Sequence, residues 1–156
     1  MERIQNELRG LPAQVEQVDY RKRGYNLDVR LSPGEIRVFA SIMRENGFYL
    51  VFVTAVHLSS AIEVVYQFAI YSNLCRVVGR AAVAKDNSIP TISDIFNGAN
   101  WHERETWEMF GVRFVGHPYL EPLLLPEETV GLNPLLKGEG KARESEQVRW
   151  QAEKES

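Results

Sequence analysis

Residues 100–118, NWHERETWEMFGVRFVGHP, bring together Glu103, Glu105, Glu108, His102, His117 and the aromatics Trp101, Trp107, Phe110 and Phe114. Carboxylates close to histidines are the material of general acid–base catalysis or of a metal site. The spacing supports neither. No second histidine follows His102 by four residues, so the paired-histidine helix of a metalloprotease is missing. His117 stands before Pro118 in a turn, far along the sequence, and His57 falls within an apolar run, where it reads as a satisfied core histidine. Cys75 is the only cysteine, which excludes an internal disulfide and any cluster or zinc held by several thiolates; it reads as a small buried strand residue. The sequence has no G-x-S-x-G, no P-loop and no Rossmann glycine fingerprint, and Gly138-Glu139-Gly140 opens no apolar helix.

The element that must carry this motif is a helix. Asn100 is a good N-cap, Glu103 sits where a capping box places its acidic member, and Gly111 suits the left-handed turn after the last residue. The spacing predicts a helix from Trp101 to Phe110, about three turns long. Winding it puts Glu103, Thr106, Trp107, Met109 and Phe110 on one side and Trp101, Arg104, Glu105 and Glu108 on the other. Arg104 and Glu108, four apart, are placed to pair. Two positions are out of character. Glu103 falls in the apolar arc, where a carboxylate becomes a general acid with a raised pKa or turns back to cap its own helix; capping is the expected role. Trp101 projects among charges, which marks an interface more often than a catalytic site.

The rest of the sequence supplies the frame. Residues 2–9 read as a short helix ending at Gly10, and residues 13–20 and 25–31 as strands of a hairpin around Arg21-Lys22-Arg23-Gly24, a solvated turn. Ser32, Pro33 and Glu35 give a helix start, Ile36, Phe39, Ala40 and Met43 recur at helical spacing, and Asn46-Gly47 closes that helix. Residues 48–58 read as a buried strand, and 62–71 and 75–84 as two more. Short connections make these three an antiparallel meander. The order helix, two strands, helix, three strands predicts an α+β fold in two layers: one mixed sheet with helices on one face, then a C-terminal helix and an extended tail. A short helix is expected near Ser93 to Phe96.

After residue 118 the texture changes. Pro118, Pro122, Pro126 and Pro134 break any regular element, yet Leu120, Leu123, Leu124 and Leu125 are too apolar for a free linker. The expected organisation is a globular domain over 1–118, a proline-rich strap over 119–136 that wants a surface, its own domain's or a neighbour's, and a charged, mobile or partner-ordered tail over 137–156. A net charge of −3 argues against a nucleic-acid binder. The N-terminus lacks the apolar core of a signal peptide, and the longest apolar run is half of what a spanning helix needs. The expectation is a cytoplasmic protein whose membrane contact runs only through a partner.

One resemblance carries further. Glu103-Arg104-Glu105, Trp107, Glu108, Met109-Phe110-Gly111-Val112, Phe114 and Gly116-His117-Pro118 resemble the signature of the 30-kDa subunit family of NADH-quinone oxidoreductase, respiratory complex I, with relatives in F420H2 dehydrogenases and membrane-bound hydrogenases. The flanking segments IPTISDIFNGANW and LEPLLLPEE also resemble that family, so the likeness covers roughly residues 60–136. Pro134-Leu135-Leu136-Lys137-Gly138 departs from it, lacking an arginine and an aspartate usual there.

The resemblance implies a peripheral-arm subunit that binds no flavin, F420, Fe–S cluster or quinone itself and has no independent catalysis. It implies packing against the large, 49-kDa-like subunit and cluster-bearing neighbours, on the cytoplasmic side of the membrane. Trp101, Glu103, Arg104, Glu105, Trp107, Glu108, Phe110, Gly111, Phe114, Gly116, His117 and Pro118 would then form the signature and much of the subunit interface. The alternatives are a subunit of a membrane-bound hydrogenase or F420H2 dehydrogenase, a hydrolase using Glu103, Glu105 and His102 or His117, and a stand-alone binding module with its strap folded back on its own sheet.

Overall fold

The computed structural model describes residues 2–72, 74–126 and 131–137. The tail expected over 137–156, apart from Lys137, and residues 127–130 of the strap lie outside the described residues. The elements are α1 (Glu2–Arg9), β1 (Gln14–Gln17), α2 (Tyr20–Arg23), β2 (Leu27–Leu31), a 3-10 turn (Pro33–Glu35) leading into α3 (Ile36–Glu45), then β3 (Tyr49–His57), β4 (Ile62–Ile70), β5 (Cys75–Ala82), β6 (Ser88–Pro90), α4 (Ala99–Phe110) and β7 (Arg113–Val115).

Five strands form one mixed sheet in the order β1-β2-β5-β4-β3. The hairpin β1–β2 and the meander β3–β4–β5 are antiparallel, and β2 lies parallel to β5. The fold is the expected α+β, two-layer arrangement. The expected turn at Arg21-Lys22-Arg23 is a single helical turn, capped by the Asp19 side chain and stopped at Gly24 in the left-handed region.

Along α3 the apolar positions repeat at helical spacing, so Ile36, Phe39, Ala40 and Met43 all bury against the sheet. The capping box of Ser32 and Glu35 ahead of it is formed. The buried face of α3 shares one core with Leu27, Val29 and Leu31 of β2, Val77 and Ala81 of β5, and Val64, Tyr66 and Phe68 of β4. Gly79 is the closest approach: a Cβ there would stand 2.4 Å from Cε1 of Phe39. Phe39 in turn meets Phe68 edge-on at 5.5 Å. Ile4 and Leu8 of α1 and Ala99 and Phe110 of α4 complete the same core, with Cys75 buried at the start of β5 as expected.

Three local expectations are corrected. β3, expected as a buried strand, is the sheet edge and alternates between exposed and covered positions. His57, its last residue, is half-buried rather than in the core, and its Nδ1 accepts the Lys137 amide at 3.0 Å. Residues 93–95 form a turn rather than a short helix: Arg37 of α3 grips Asp94 from across the fold, and the Ser93 hydroxyl is taken up locally by Thr91. The sequence reading also missed β6 and β7, which pair in parallel as a separate two-stranded ribbon, Ile89 opposite Phe114.

Candidate functional site

The signature helix α4 begins at Ala99, with Gly98 as its N-cap, earlier than expected. Asn100 is therefore inside the helix and is not its cap. Gly111 closes it in the left-handed conformation at φ 70, with its amide donating to the Trp107 carbonyl at 2.8 Å.

Glu103 does not turn back to its own helix start. It is fully buried; Oε1 accepts the Ile92 amide at 2.8 Å and Oε2 accepts the Thr91 hydroxyl, both in the segment after β6. Burial pushes its pKa up to about 7 against the opposing pull of those two donors. The same segment is held from the other side by Arg37 of α3, which donates to the Thr91 carbonyl at 2.7 Å and grips Asp94 in a bidentate pair. Glu103 is thus a tie between α4 and the 91–94 segment.

His117 stands beside it, with a side chain 1% exposed and Nε2 3.9 Å from Glu103 Oε2. Its Nδ1 accepts the Tyr119 amide at 3.1 Å, so the ring proton is on Nε2 and goes to the Asn100 carbonyl at 3.2 Å. Burial lowers its pKa below the ordinary histidine value. Both ring nitrogens are spent on backbone groups. Gly116, at φ 85, turns the backbone so that His117 can reach there, and Pro118 is exposed beyond it.

Arg104 and Glu108 do not pair with each other; each takes hold of the strap. Arg104 donates from Nε to the Glu121 carbonyl at 3.0 Å and from Nη2 to the Pro122 carbonyl at 2.7 Å. Its guanidinium also lies near the rings of Trp101 and Tyr119, at 5.5 and 5.1 Å from their centroids. Glu108 accepts three successive amides, from Leu123 at 3.2 Å, Leu124 at 2.9 Å and Leu125 at 2.9 Å. Burial raises its pKa, but the three amides outweigh that and hold the carboxyl below the usual range. The strap continues past the end of α4: the Leu135 amide donates to the Met109 carbonyl at 3.0 Å, and the Asn133 side chain lies against Gly111.

The structure therefore brings together Glu103 and His117 beneath α4, with Phe114 in the core, and sets Arg104, Glu108 and Gly111 against the strap, with the Trp101 ring beside the Arg104 guanidinium. Trp107 is half-buried and Phe110 joins the core. Glu105 is exposed and belongs to neither group. Glu103 is fully buried, with no face open to a substrate. What the arrangement does chemically is fix a proline-broken segment on a helix. The exposed apolar side chains of this region among the described residues include Trp101, 62% exposed, with Tyr119, Leu124, Leu132, Leu135 and Leu136. Sequence reasoning missed Thr91, Ile92, Arg37 and Asn133, whose contacts are far apart in sequence and leave no periodic trace.

Comparison with known proteins matches this frame. The C-type subunit of NADH-quinone oxidoreductase from Roseiflexus sp. (strain RS-1) is 45% identical over 76 residues, 48% of this chain and 43% of that protein. The C/D-type subunit of NADH-quinone oxidoreductase from Buchnera aphidicola subsp. Cinara cedri is 47% identical over 73 residues, 46% of this chain and 12% of that protein. The matched segments span less than half the length of these curated relatives. Among solved structures, part of the membrane-bound sulfane sulfur reductase, an archaeal respiratory membrane complex, superposes with a TM-score of 0.74 at 28% identity, over 85% of this chain and 81% of its counterpart. The family model described as respiratory-chain NADH dehydrogenase, 30 Kd subunit, matches residues 29–144, and the protein belongs to that family.

Proposed function

We propose that this protein is a non-redox structural subunit in the peripheral arm of a complex I-like, membrane-associated oxidoreductase, holding the large subunit in register for electron transfer. The observation that carries this reading is the strap. Arg104 and Glu108 immobilise residues 121–125 on α4 while Leu124 and Trp101 stay exposed. A segment already ordered before a partner arrives loses less conformational entropy on docking. Arg104 and Glu108 thus act from beneath, and the contact surface is Trp101, Glu105 and the outer side of the strap. Glu103, Trp107, Phe110, Gly111, Phe114, Gly116, His117 and Pro118 keep that surface in place.

The partner is a D-type, 49-kDa-like subunit. The C/D relative, in which the two subunits share one polypeptide, supports this choice. Cluster-bearing subunits lie next to it. Flavin or F420, Fe–S clusters and quinone reside on those neighbours; with one cysteine, this protein has no set of thiolates to offer a cluster. No helix among the described residues is long and apolar enough to cross a membrane, which suits a peripheral position on the cytoplasmic side, reached through the complex.

Leu124→Ser combined with Trp101→Ala tests the reading. Both positions are exposed, so the isolated protein's stability should change by no more than about 0.5 kcal/mol for Leu124→Ser and about 1 kcal/mol for Trp101→Ala, whose ring lies beside Arg104. Co-purification of the large subunit should fall severalfold. Full retention by the double variant sinks the proposal.

A further inference from the structure

At the opposite end of β3 from the last strap contact, a second exposed surface combines aromatic and basic side chains. Lys137 meets His57 at the last residue of β3, whereas Tyr49 is the first, roughly 25 Å away at the rise of a strand. Tyr49, Ala69 and Arg76 stand in one register row across β3, β4 and β5, so Tyr49 and Arg76 flank a small residue on one face of the sheet. Tyr71 stacks on Tyr49 at 4.7 Å, and Arg76 lies over the Tyr20 ring at 5.9 Å. Tyr20 opens α2, which brings the exposed Arg21 and Lys22 to the same end.

Two features set this surface apart from ordinary solvated exterior. Arg21, Lys22 and Arg76 make no ion pair with a carboxylate among the described residues, although the protein as a whole carries a net charge of −3. Asp19, next to α2, spends its carboxylate on the Arg21 amide at 2.9 Å. Secondly, the β4–β5 turn holds Leu74 at φ 47 with 81% of its surface exposed, and Tyr71 is 78% exposed. A leucine in the left-handed region is strained, and here the strained turn leaves an apolar side chain outward.

We propose that this end of the sheet is a second docking surface, whose occupant is an acidic segment of a neighbouring subunit, with carboxylates against Arg76, Arg21 and Lys22 and an apolar side chain against Leu74 and Tyr71. This rests on the reading of the protein as an assembly subunit and makes it a wedge between two partners, one on the strap and one here. Charge complementarity fixes the sign of the occupant. Tyrosine, arginine and an apolar anchor together are the composition of a protein interface. With Arg23 in the same turn the basic residues reach only the lower end of the about 4–8 that recognise anionic lipid, and the protein as a whole is negatively charged.

The experiment uses the intact complex purified from membranes, with a benzophenone amino acid introduced at position 74 and irradiated. The expected product is a crosslink to an acidic stretch of another subunit. Its yield should fall about tenfold when Arg21→Glu, Lys22→Glu and Arg76→Glu are combined, and recover when lysine replaces the arginines instead. Melting of the isolated variant checks that the fold is kept. A crosslink to lipid alone, to a neutral or basic stretch, or with a yield indifferent to charge reversal overturns the proposal. If the large subunit is retained while position 74 captures nothing acidic, only this proposal fails. If the protein enters no complex, both readings fall.

Discussion

Leu124 donates its amide to Glu108 Oε2 at 2.9 Å across sixteen positions of sequence, and its neighbours Leu123 and Leu125 donate to the other oxygen of the same carboxylate. One ionised side chain thereby satisfies three consecutive amides of a segment that has no strand or helix to satisfy them. Hydrogen bonds to a charged acceptor are the stronger kind, and each buried amide left without one costs about 1–3 kcal/mol.

Glu108→Ala should therefore free the strap while leaving the sheet intact. Amide hydrogen exchange at residues 123–125 should accelerate by at least about tenfold, with exchange in β4 and β5 little changed. The carboxyl's pKa is depressed in the folded state, so its contribution is present above the ordinary glutamate value of about 4.3 and is lost as pH falls through the folded value. Exchange at those amides, corrected for its intrinsic pH dependence, should rise on acidification below about pH 4 in the wild type and not in the variant. Equal protection in both would show that Glu108 does not hold the strap.

How far such contacts are legible in the sequence depends on their range. The helix α3, with its Ser32–Glu35 box and its buried Ile36, Phe39, Ala40 and Met43, is written in spacings of three and four residues and can be read directly. The meander follows from alternation and short turns. The fate of Glu103 cannot be read this way, because its partners Thr91 and Ile92 lie in an irregular segment that only the tertiary fold brings to α4. The local rule offered Glu103 a cap and Glu108 an arginine one turn away. In both cases unpaired backbone amides from elsewhere, which have fewer alternatives than a surface charge, took the carboxylate. The β6–β7 ribbon escaped for a related reason, since three-residue strands carry no periodicity.

The raised pKa of Glu103 has a definite sign. Folding favours its protonated form between the unfolded value near 4.3 and the folded value of about 7, so the stabilisation is full below the first and lost as pH rises through the second. Relative to Glu103→Gln, the wild type should lose stability between pH 5.5 and pH 8, each pKa unit corresponding to about 1.4 kcal/mol; His117, whose lowered pKa acts in the opposite sense, contributes to both proteins. Glu103→Gln keeps an acceptor for the Ile92 amide and carries no charge, so it should gain on the wild type over that interval and melt above it at pH 8. A difference between the two that does not change with pH would show that Glu103 does not titrate there.

Gly79 in β5 has no room for a side chain, because a Cβ would fall 2.4 Å from Cε1 and 2.9 Å from Cζ of Phe39. Phe39 cannot yield easily, being fully buried and set against Phe68. Gly79→Ala should destabilise the domain by about 1–3 kcal/mol, read from urea denaturation, through overpacking in an otherwise filled core. Adding Phe39→Leu should recover part of that loss, since it removes the ring atoms that clash.

Gly111 couples the end of α4 to the far part of the strap. It sits at φ 70, and a Cβ there would stand 2.9 Å from Nδ2 of Asn133. Gly111→Ala should therefore cost about 1–2 kcal/mol from the left-handed backbone alone, plus whatever is needed to move Asn133. The two contributions separate in a double-mutant cycle. Asn133→Ala removes the obstructing amide but leaves the backbone strain, so the pair should be less destabilised than the sum of the single variants, by at least about 0.5 kcal/mol. If the single losses simply add, Asn133 does not press on Gly111, and the strap beyond residue 131 is held by the Leu135–Met109 and Lys137–His57 bonds instead.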